Sequence, residues 1–286
     1  MIQPLFEHRR VFAGYETRVL ELEGDGVPIA LFHGYADSAD TWRQALALIA
    51  RQGRRAIAVD LPGFGTADPL DDGPILPQLD EFAFAAVRYL SRDEPVIASG
   101  NSLGGCVSLR MAQRHPSKLA GVVPVAPAGL QMSRLLYIVQ RDPILRSLLA
   151  LPTPVPAAVL REAVARLYKQ LAFAVPGAID PEVISTFTWH HRRRVDAARV
   201  LHTARRLIPE LRDALEPERI AVPVLLVWGD RDRLAFHRGA ERILKAVPDS
   251  RLELLEGVGH CPQVEAPARF TELLLEFSGQ PERVAA

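Results

Sequence analysis

Apolar residues follow two alternating patterns along this chain. Short runs of Val, Ile, Leu and Ala, such as VPIALFHG, RRAIAVD, PVIASGN and VPVLLVWGD, are typical of parallel strands buried on both faces. Between them, TWRQALALIARQ, LPQLDEFAFAAVRYLSR, SLGGCVSLRMAQ and EAPARFTELLLEFSG space their apolar residues three and four positions apart, which predicts amphipathic helices. This alternation predicts an α/β fold with a mostly parallel central sheet flanked by helices. The opening strands, ETRVLELEG and VPIALFHG, have no helix between them, so we expect them to form an antiparallel edge.

One region departs from this alternation. Residues 130–216 have helical patterning but no strand, and three prolines punctuate the segment LPTPVP. We therefore predict a helical insertion at 130–216 between two strands of a core formed by residues 1–129 and 217–286. The insertion has 13 Lys or Arg and 8 Asp or Glu, an excess of five positive charges.

Composition narrows the class of protein. Lys plus Arg equals Asp plus Glu at 34 each, so no overall field favours nucleic acid as a partner. The N-terminal residues lack the apolar region of a signal peptide, and no apolar run is long enough to span a bilayer. Two cysteines, Cys106 and Cys261, make neither a disulfide framework nor a metal motif. We expect a cytoplasmic protein with no structural metal.

The stretch IASGNSLGGCV places Ser102 between an apolar strand and a helix, with Gly100 before it and Gly104 and Gly105 after it. A sharp strand-to-helix turn strains its central residue and needs small neighbours. The turn would present Ser102 at the carboxyl end of the sheet and at a helix N-terminus, where developing negative charge is favoured. The G-x-S-x-G pattern therefore predicts a nucleophile.

A serine nucleophile needs a base and an acid that orients the base. His260 follows the last strand and precedes the last helix, so its loop also lies at the carboxyl end of the sheet. We favour it over histidines that are expected to be structural or solvated, namely His8, His115, His190 and His191. Asp230 and Asp232 both end the strand VPVLLVWGD and its turn, and either could be the acid, because residues two apart in an extended stretch point the same way.

The order Ser102, aspartate, His260 resembles the α/β-hydrolase superfamily, specifically its esterase-like branch with a serine nucleophile and a cap. HGYADSADTW resembles the oxyanion loop of that family, and LPGFG resembles the turn after the following strand. WGDRD resembles the W-G-x-x-D turn, which implies Asp232 as the acid. GHCPQVEAPARF resembles G-H-x-P-x-x-E-x-P-x-x-F, which implies His260 as the base.

The resemblance also implies an oxyanion hole and a cap. Its donors would be the backbone N–H groups of Tyr35 and Leu103, with His33 supporting the loop. The insertion would correspond to the helical cap over the site. A serine nucleophile implies acyl transfer without a cofactor, and excludes the branches of the family that use aspartate there.

Several activities share this machinery. We favour a carboxylic ester hydrolase whose partners are a small-molecule ester and water. The alternatives are a carbon–carbon bond hydrolase of the meta-cleavage type, which SGNSLGG resembles, a thioesterase or lactonase, and a ligand receptor on the same scaffold. HGYADSADTW differs from the HGxGPG loop of the meta-cleavage group, and Cys261 stands where that group tends to have tryptophan.

The insertion is expected to determine which substrates the protein accepts. We predict that its apolar segments, LLYIVQ and LLAL, face the serine and form a hydrophobic chamber, an interpretation we favour over contact with a membrane. The stretches HHRRRVDAARV and TARRL would then be largely solvated. The competing hypothesis is that one arginine among Arg192, Arg193 and Arg194 points inward and binds a substrate carboxylate, which would need a charged partner if buried.

Overall fold

The computed structural model describes residues 4–133, 166, 169–179 and 194–279. Eight strands form one sheet. In chain order they are β1 Phe6–Phe12, β2 Tyr15–Leu22, β3 Asp25–Phe32, β4 Arg54–Val59, β5 Val96–Asn101, β6 Leu119–Val125, β7 Val224–Gly229 and β8 Ser250–Leu255. The α-helices of the described residues include α1 Arg43–Arg51, α2 Ile75–Ser91, α3 Leu103–Arg114, α4 Arg194–Glu210, α5 Glu241–Ala246, α6 Pro262–Glu265 and α7 Pro267–Ser278.

The sheet has the strand order β1-β2-β4-β3-β5-β6-β7-β8. β2 runs antiparallel to both β1 and β4, and all the other neighbours are parallel. The expected antiparallel edge is therefore present, but β1 and β2 form it. The expectation was wrong for β3, which enters the parallel part between β4 and β5, because its second half, residues 28–32, is apolar and buried on both faces.

Helices cover both faces of the sheet, as predicted. Buried side chains of α2 and α3 share one apolar core with alternate residues of the strands, and those of α1 and α7 share a second core on the opposite face. The largest fully buried side chains include Trp42, Trp228 and Phe270. This three-layer arrangement confirms the α/β architecture.

The predicted insertion falls between β6, which ends at Val125, and β7, which begins at Val224. Its apolar segments LLYIVQ and LLAL, and Arg192 and Arg193, lie outside the described residues. From the TARRL stretch, Arg206 does not stand free in solvent, because its guanidinium donates to the carbonyl oxygens of Asp71 at 2.6 Å and Gly73 at 2.7 Å.

Candidate active site

Ser102 occupies the tight turn between β5 and α3. Its φ of 52° and ψ of −106° lie in a region that side chains other than glycine rarely adopt. Backbone hydrogen bonds to the end of β6 and the residues after it hold this conformation in place. The Ser102 N–H donates to the carbonyl oxygen of Val125 at 2.9 Å, and the Ser102 carbonyl oxygen accepts from the N–H of Ala128 at 2.9 Å. The side chain is partly exposed at the carboxyl end of the sheet.

The glycines around Ser102 are required by close backbone contacts. A Cβ at Gly104 would lie 2.1 Å from the carbonyl oxygen of Phe32, and a Cβ at Gly100 would lie 2.3 Å from the backbone of Gly104. At Gly105 a Cβ would come within 2.9 Å of the Gly100 oxygen. Helix α3 thus begins almost in contact with β3 and β5, which is possible only without side chains at these positions.

Asp232 and His260 are hydrogen-bonded to each other. His260 Nδ1 lies 2.7 Å from Asp232 Oδ2, and the two residues are only 5% and 8% exposed. Asp232 Oδ1 accepts the N–H groups of Leu234 at 2.8 Å and Ala235 at 3.0 Å, and Oδ2 also accepts from Trp228 Nε1 at 3.1 Å. These donors stabilise an ionised carboxylate that accepts from the Nδ1–H tautomer of His260, leaving Nε2 as the basic nitrogen.

Asp230, the other candidate acid, has a different environment. Its side chain is exposed, and its Oδ1 accepts the N–H of Gly257 at 2.7 Å in the adjoining turn. The structure thus places Asp232 against His260, whereas Asp230 lies in the turn after β7 and contacts the loop after β8.

The loop after β3 lies against the serine. A Cβ on Gly34 would be 3.6 Å from Ser102 Cβ. His33 Nδ1 lies 2.7 Å from the Gly34 carbonyl oxygen, and its Nε2 accepts the N–H of Leu61 at 2.8 Å, so the ring is a neutral tautomer that holds the loop. His33 therefore supports the loop, and both of its ring nitrogens are occupied by backbone partners.

Leu103 follows Ser102 in the chain, and Tyr35 follows Gly34 in the loop after β3. Leu103 is the first residue of α3, where N–H groups lack intrahelical partners. The Tyr35 ring packs edge-on against Phe64 with centroids 5.2 Å apart. Burial raises the pKa of Tyr35, and its hydroxyl meets the backbone of Ala204 in α4. The Tyr35 side chain thus connects the loop after β3 to α4, near the C-terminal end of the insertion.

A buried carboxylate fixes the base of this loop. Asp60, just after β4, accepts the N–H groups of Ala39 and Thr66, both at 2.8 Å, and pairs with Arg18 at 3.1 Å. Burial alone would raise the pKa of Asp60, but the charge of Arg18 and these hydrogen bonds lower it overall. Asp60 therefore connects β2, the loop after β3 and the turn after β4.

Sequence reasoning missed two residues of the site. Asn101 Nδ2 donates to the carbonyl oxygen of His260 at 2.9 Å, which ties the serine turn to the histidine loop. Glu265 accepts N–H groups of that loop and of residue 174. The only sequence signal was that each is a polar residue inside a recognised motif, G-N-S-L-G and GHCPQVE.

His8 and His115 have partners elsewhere in the fold. His8 pairs with Glu21 at 2.7 Å on the edge strands, and the His115 ring stacks on Phe84 with centroids 3.9 Å apart. His190 and His191 lie outside the described residues.

Comparison with known proteins gives the family. A family model described as alpha/beta hydrolase fold matches residues 27–267, which include all the loops above. The chain belongs to the α/β-hydrolase family. It is thus a hydrolase by family, and the fold predicted from the resemblance is confirmed.

Named relatives come from animals and bacteria. The protein named monoacylglycerol lipase ABHD6 of Bos taurus is 28% identical over 258 residues, covering 87% of this chain and 74% of that protein. An uncharacterized protein of Mycobacterium tuberculosis is 28% identical over 296 residues, covering 98% of this chain and 82% of that protein.

Solved structures share the fold. A serine hydrolase involved in carbazole degradation superposes with a TM-score of 0.77 at 24% identity, covering 96% of this chain and 98% of that one. A 2-hydroxy-6-oxo-6-phenylhexa-2,4-dienoate hydrolase from Rhodococcus has the same TM-score at 19% identity, covering 96% and 99%. Within the described part of this chain, no helix has the length and apolar character needed to cross a membrane.

Proposed function

We propose that this α/β-hydrolase cleaves carboxylic esters of small to medium hydrophobic substrates through an acyl-enzyme on Ser102. The observation that carries the proposal is the 2.7 Å hydrogen bond from His260 Nδ1 to a buried Asp232 whose other acceptor positions are filled. That bond fixes the histidine tautomer needed by a general base, and the adjoining turn presents a strained, partly exposed serine.

The proposed reaction has two halves. His260 Nε2 takes the proton of Ser102 as the serine oxygen attacks the ester carbonyl, and Asp232 stabilises the imidazolium that forms. His260 then gives the proton to the departing alcohol, leaving Ser102 acylated. In the second half His260 removes a proton from water, whose oxygen attacks the acyl carbonyl. The bond to the Ser102 oxygen then breaks, His260 returns the proton to that oxygen, and the acid product leaves.

The oxyanion of each tetrahedral intermediate would be bound by the backbone N–H groups of Tyr35 and Leu103. Donors of this kind are each worth roughly 3 to 4 kcal/mol when removed. The support for this role is the position of the loop after β3 beside Ser102 and the position of Leu103 at the start of α3.

Ester cleavage also agrees with the relatives named as monoacylglycerol lipases, which match 87% of this chain. Carbon–carbon bond hydrolysis is the second candidate, because a structure named meta-cleavage product hydrolase shares the fold at a TM-score of 0.75. Thioesters and lactones would use the same groups. A receptor on this scaffold would bind such molecules without turnover.

The insertion completes the proposal. We propose that residues 130–216 form the cap and line a mostly hydrophobic chamber, and that the partners are an ester and water, with neither cofactor nor nucleic acid. Two expectations stay predictions. One is the cytoplasmic location, and the other is that the apolar segments of the insertion line the pocket instead of contacting a membrane.

The test is a panel of p-nitrophenyl esters of increasing acyl length, run beside a meta-cleavage diketone. If the chamber is hydrophobic, kcat/KM should rise over the first few acyl carbons, and each added methylene should stabilise the transition state by at most about 0.8 kcal/mol. Salt should have little effect on these values. No turnover of any ester would refute the proposal, and turnover of the diketone alone would establish the carbon–carbon hydrolase. Efficient turnover of anionic esters only at low salt would support an inward arginine instead of the hydrophobic chamber.

A further inference from the structure

Glu265, the last residue of α6, gathers three backbone N–H groups. Its Oε1 accepts from Gly259 at 3.0 Å and from Cys261 at 3.3 Å, the residues on either side of His260. Its Oε2 accepts from Ala174 at 2.7 Å. One half-buried carboxylate therefore holds the histidine loop with one oxygen and a segment of the insertion with the other.

The segment involved, residues 170–174, is bound to the histidine loop from several sides. The N–H of His260 itself donates to the carbonyl oxygen of Ala172 at 2.7 Å. Arg233, next to Asp232, donates to the carbonyl oxygen of Gln170 at 2.8 Å. Phe173 is buried in a small apolar cluster with Cys261 and Val264.

Contact between the two segments is close. A Cβ on Gly259 would lie 2.6 Å from both the Ala172 oxygen and the Ala174 nitrogen, and 2.9 Å from Glu265 Oε1. Any side chain there would separate the segments. Burial raises the pKa of Glu265 overall, although its backbone donors and the neighbouring His260 act to lower that pKa and so favour the ionised form.

We propose that Glu265 is a positioning residue that fixes His260 by fastening segment 170–174 of the insertion to the histidine loop. The inference rests on the proposed function, and it assigns this part of the insertion to the support of the catalytic base rather than to a lid that lifts away. Glu265 contacts the backbone on both sides of His260 and does not itself enter the reaction.

The first test is Glu265→Gln, which keeps the size of the side chain. If the glutamine oxygen faces Gly259 and Cys261, its NH₂ group opposes the Ala174 N–H, and the reverse orientation opposes the two loop donors. A displacement of the base by about 1 Å costs roughly a hundredfold, so we expect kcat to fall by about 10- to 100-fold with little change in KM. Labelling of Ser102 by a fluorophosphonate should slow by a similar factor.

The matched control is Glu272→Gln. Glu272 is an exposed glutamate on α7 whose side chain pairs with Arg269 of the same helix at 2.6 Å. It should leave kcat, KM and labelling within twofold. Arg233→Ala, which loosens segment 170–174 without touching Glu265, should reproduce part of the loss in kcat.

A readout that needs no substrate separates the two proposals. The proton between His260 Nδ1 and Asp232 should give a low-field resonance in the parent protein, and this resonance should weaken or shift in Glu265→Gln but persist in Glu272→Gln. If the parent turns over no ester and Ser102 is not labelled, the proposed function fails while the resonance still tests the positioning role.

Two results would overturn the positioning role. One is a folded Glu265→Gln variant with kcat within twofold of the parent and an unchanged resonance. The other is a loss confined to KM, which would make Glu265 part of the substrate chamber. If Glu265→Gln does not fold, Glu265→Asp, which keeps the charge on a shorter side chain, replaces it under the same criteria.

Discussion

Replacing Asp232 by asparagine should abolish most activity while leaving the fold intact. The carboxylate accepts four donors: the N–H groups of Leu234 and Ala235 on Oδ1, and Trp228 Nε1 and His260 Nδ1 on Oδ2. An asparagine whose oxygen keeps the two backbone donors must turn its NH₂ group toward Trp228 and His260. That group cannot accept the Nδ1 proton, so the imidazole takes the other tautomer and its Nε2 no longer accepts the serine proton.

The size of each effect follows from these contacts. In a serine protease the equivalent change lowers kcat by about 10⁴, and a factor of this size corresponds to about 5 kcal/mol of transition-state stabilisation. The stability cost should be smaller, about 1 to 3 kcal/mol for one buried donor left poorly paired. Trp228 Nε1 limits the cost because it also donates to the carbonyl oxygen of Ala235 at 3.0 Å.

Asp230→Asn is the matched control on the same turn. Its oxygen can still accept the Gly257 N–H, and the side chain is exposed, so we expect kcat within a fewfold of the parent. The assay is steady-state hydrolysis of the best p-nitrophenyl ester, with urea unfolding of each variant. A larger loss for Asp230→Asn, or a loss below tenfold for Asp232→Asn, would refute the assignment of the acid.

Three further expectations concern the serine turn and its support. Ser102→Ala and His260→Ala should each remove ester hydrolysis from a folded protein, and the double variant should lose little more than either alone; additive losses would contradict a shared mechanism. Gly104→Ala should lower the free energy of unfolding by about 3 kcal/mol or more, because its Cβ would lie 2.1 Å from the carbonyl oxygen that ends β3. Gly177→Ala is the control: it has open space around it and should change the free energy of unfolding by less than about 0.5 kcal/mol. Equal melting temperatures for the two variants would disprove the packing argument. Asp60 has a lowered pKa in the folded state, so the stability it contributes is present above about pH 4 and is lost as the pH falls through that lowered pKa. Asp60→Asn should therefore make the unfolding free energy fall less steeply with decreasing pH. An unchanged dependence on pH, measured by urea unfolding at several pH values, would count against the ion pair.

The elements of the fold were predictable because periodicity reports burial directly. Each strand and helix in the quoted patterns appears within a few residues of its predicted position, and the strand-turn-helix setting of Ser102 is confirmed. Strand order was harder, because pairing depends on neighbours that are distant in sequence. β3 was expected at an edge, yet its apolar residues are buried on both faces inside the parallel part.

Sequence reasoning reached the pair Asp232 and His260 but missed residues that support it. Alternation could not separate Asp230 from Asp232; the family resemblance chose between them, and in the structure only Asp232 meets His260. Asn101 and Glu265 were missed because their partners are backbone groups, which leave no pattern in the sequence.

The hydrogen bond between Asn101 and His260 joins residues 159 positions apart, on either side of the insertion. At about 5 to 20 residues per second, a ribosome makes the serine turn on the order of ten seconds before it makes the histidine loop. Under the proposed mechanism the nascent chain has a serine hydroxyl with no base throughout that interval, and it can neither hydrolyse an ester nor be acylated efficiently. In the proposed mechanism activity begins only after β7 and β8 have joined the sheet and the histidine loop has followed them, so the order of synthesis itself delays the chemistry.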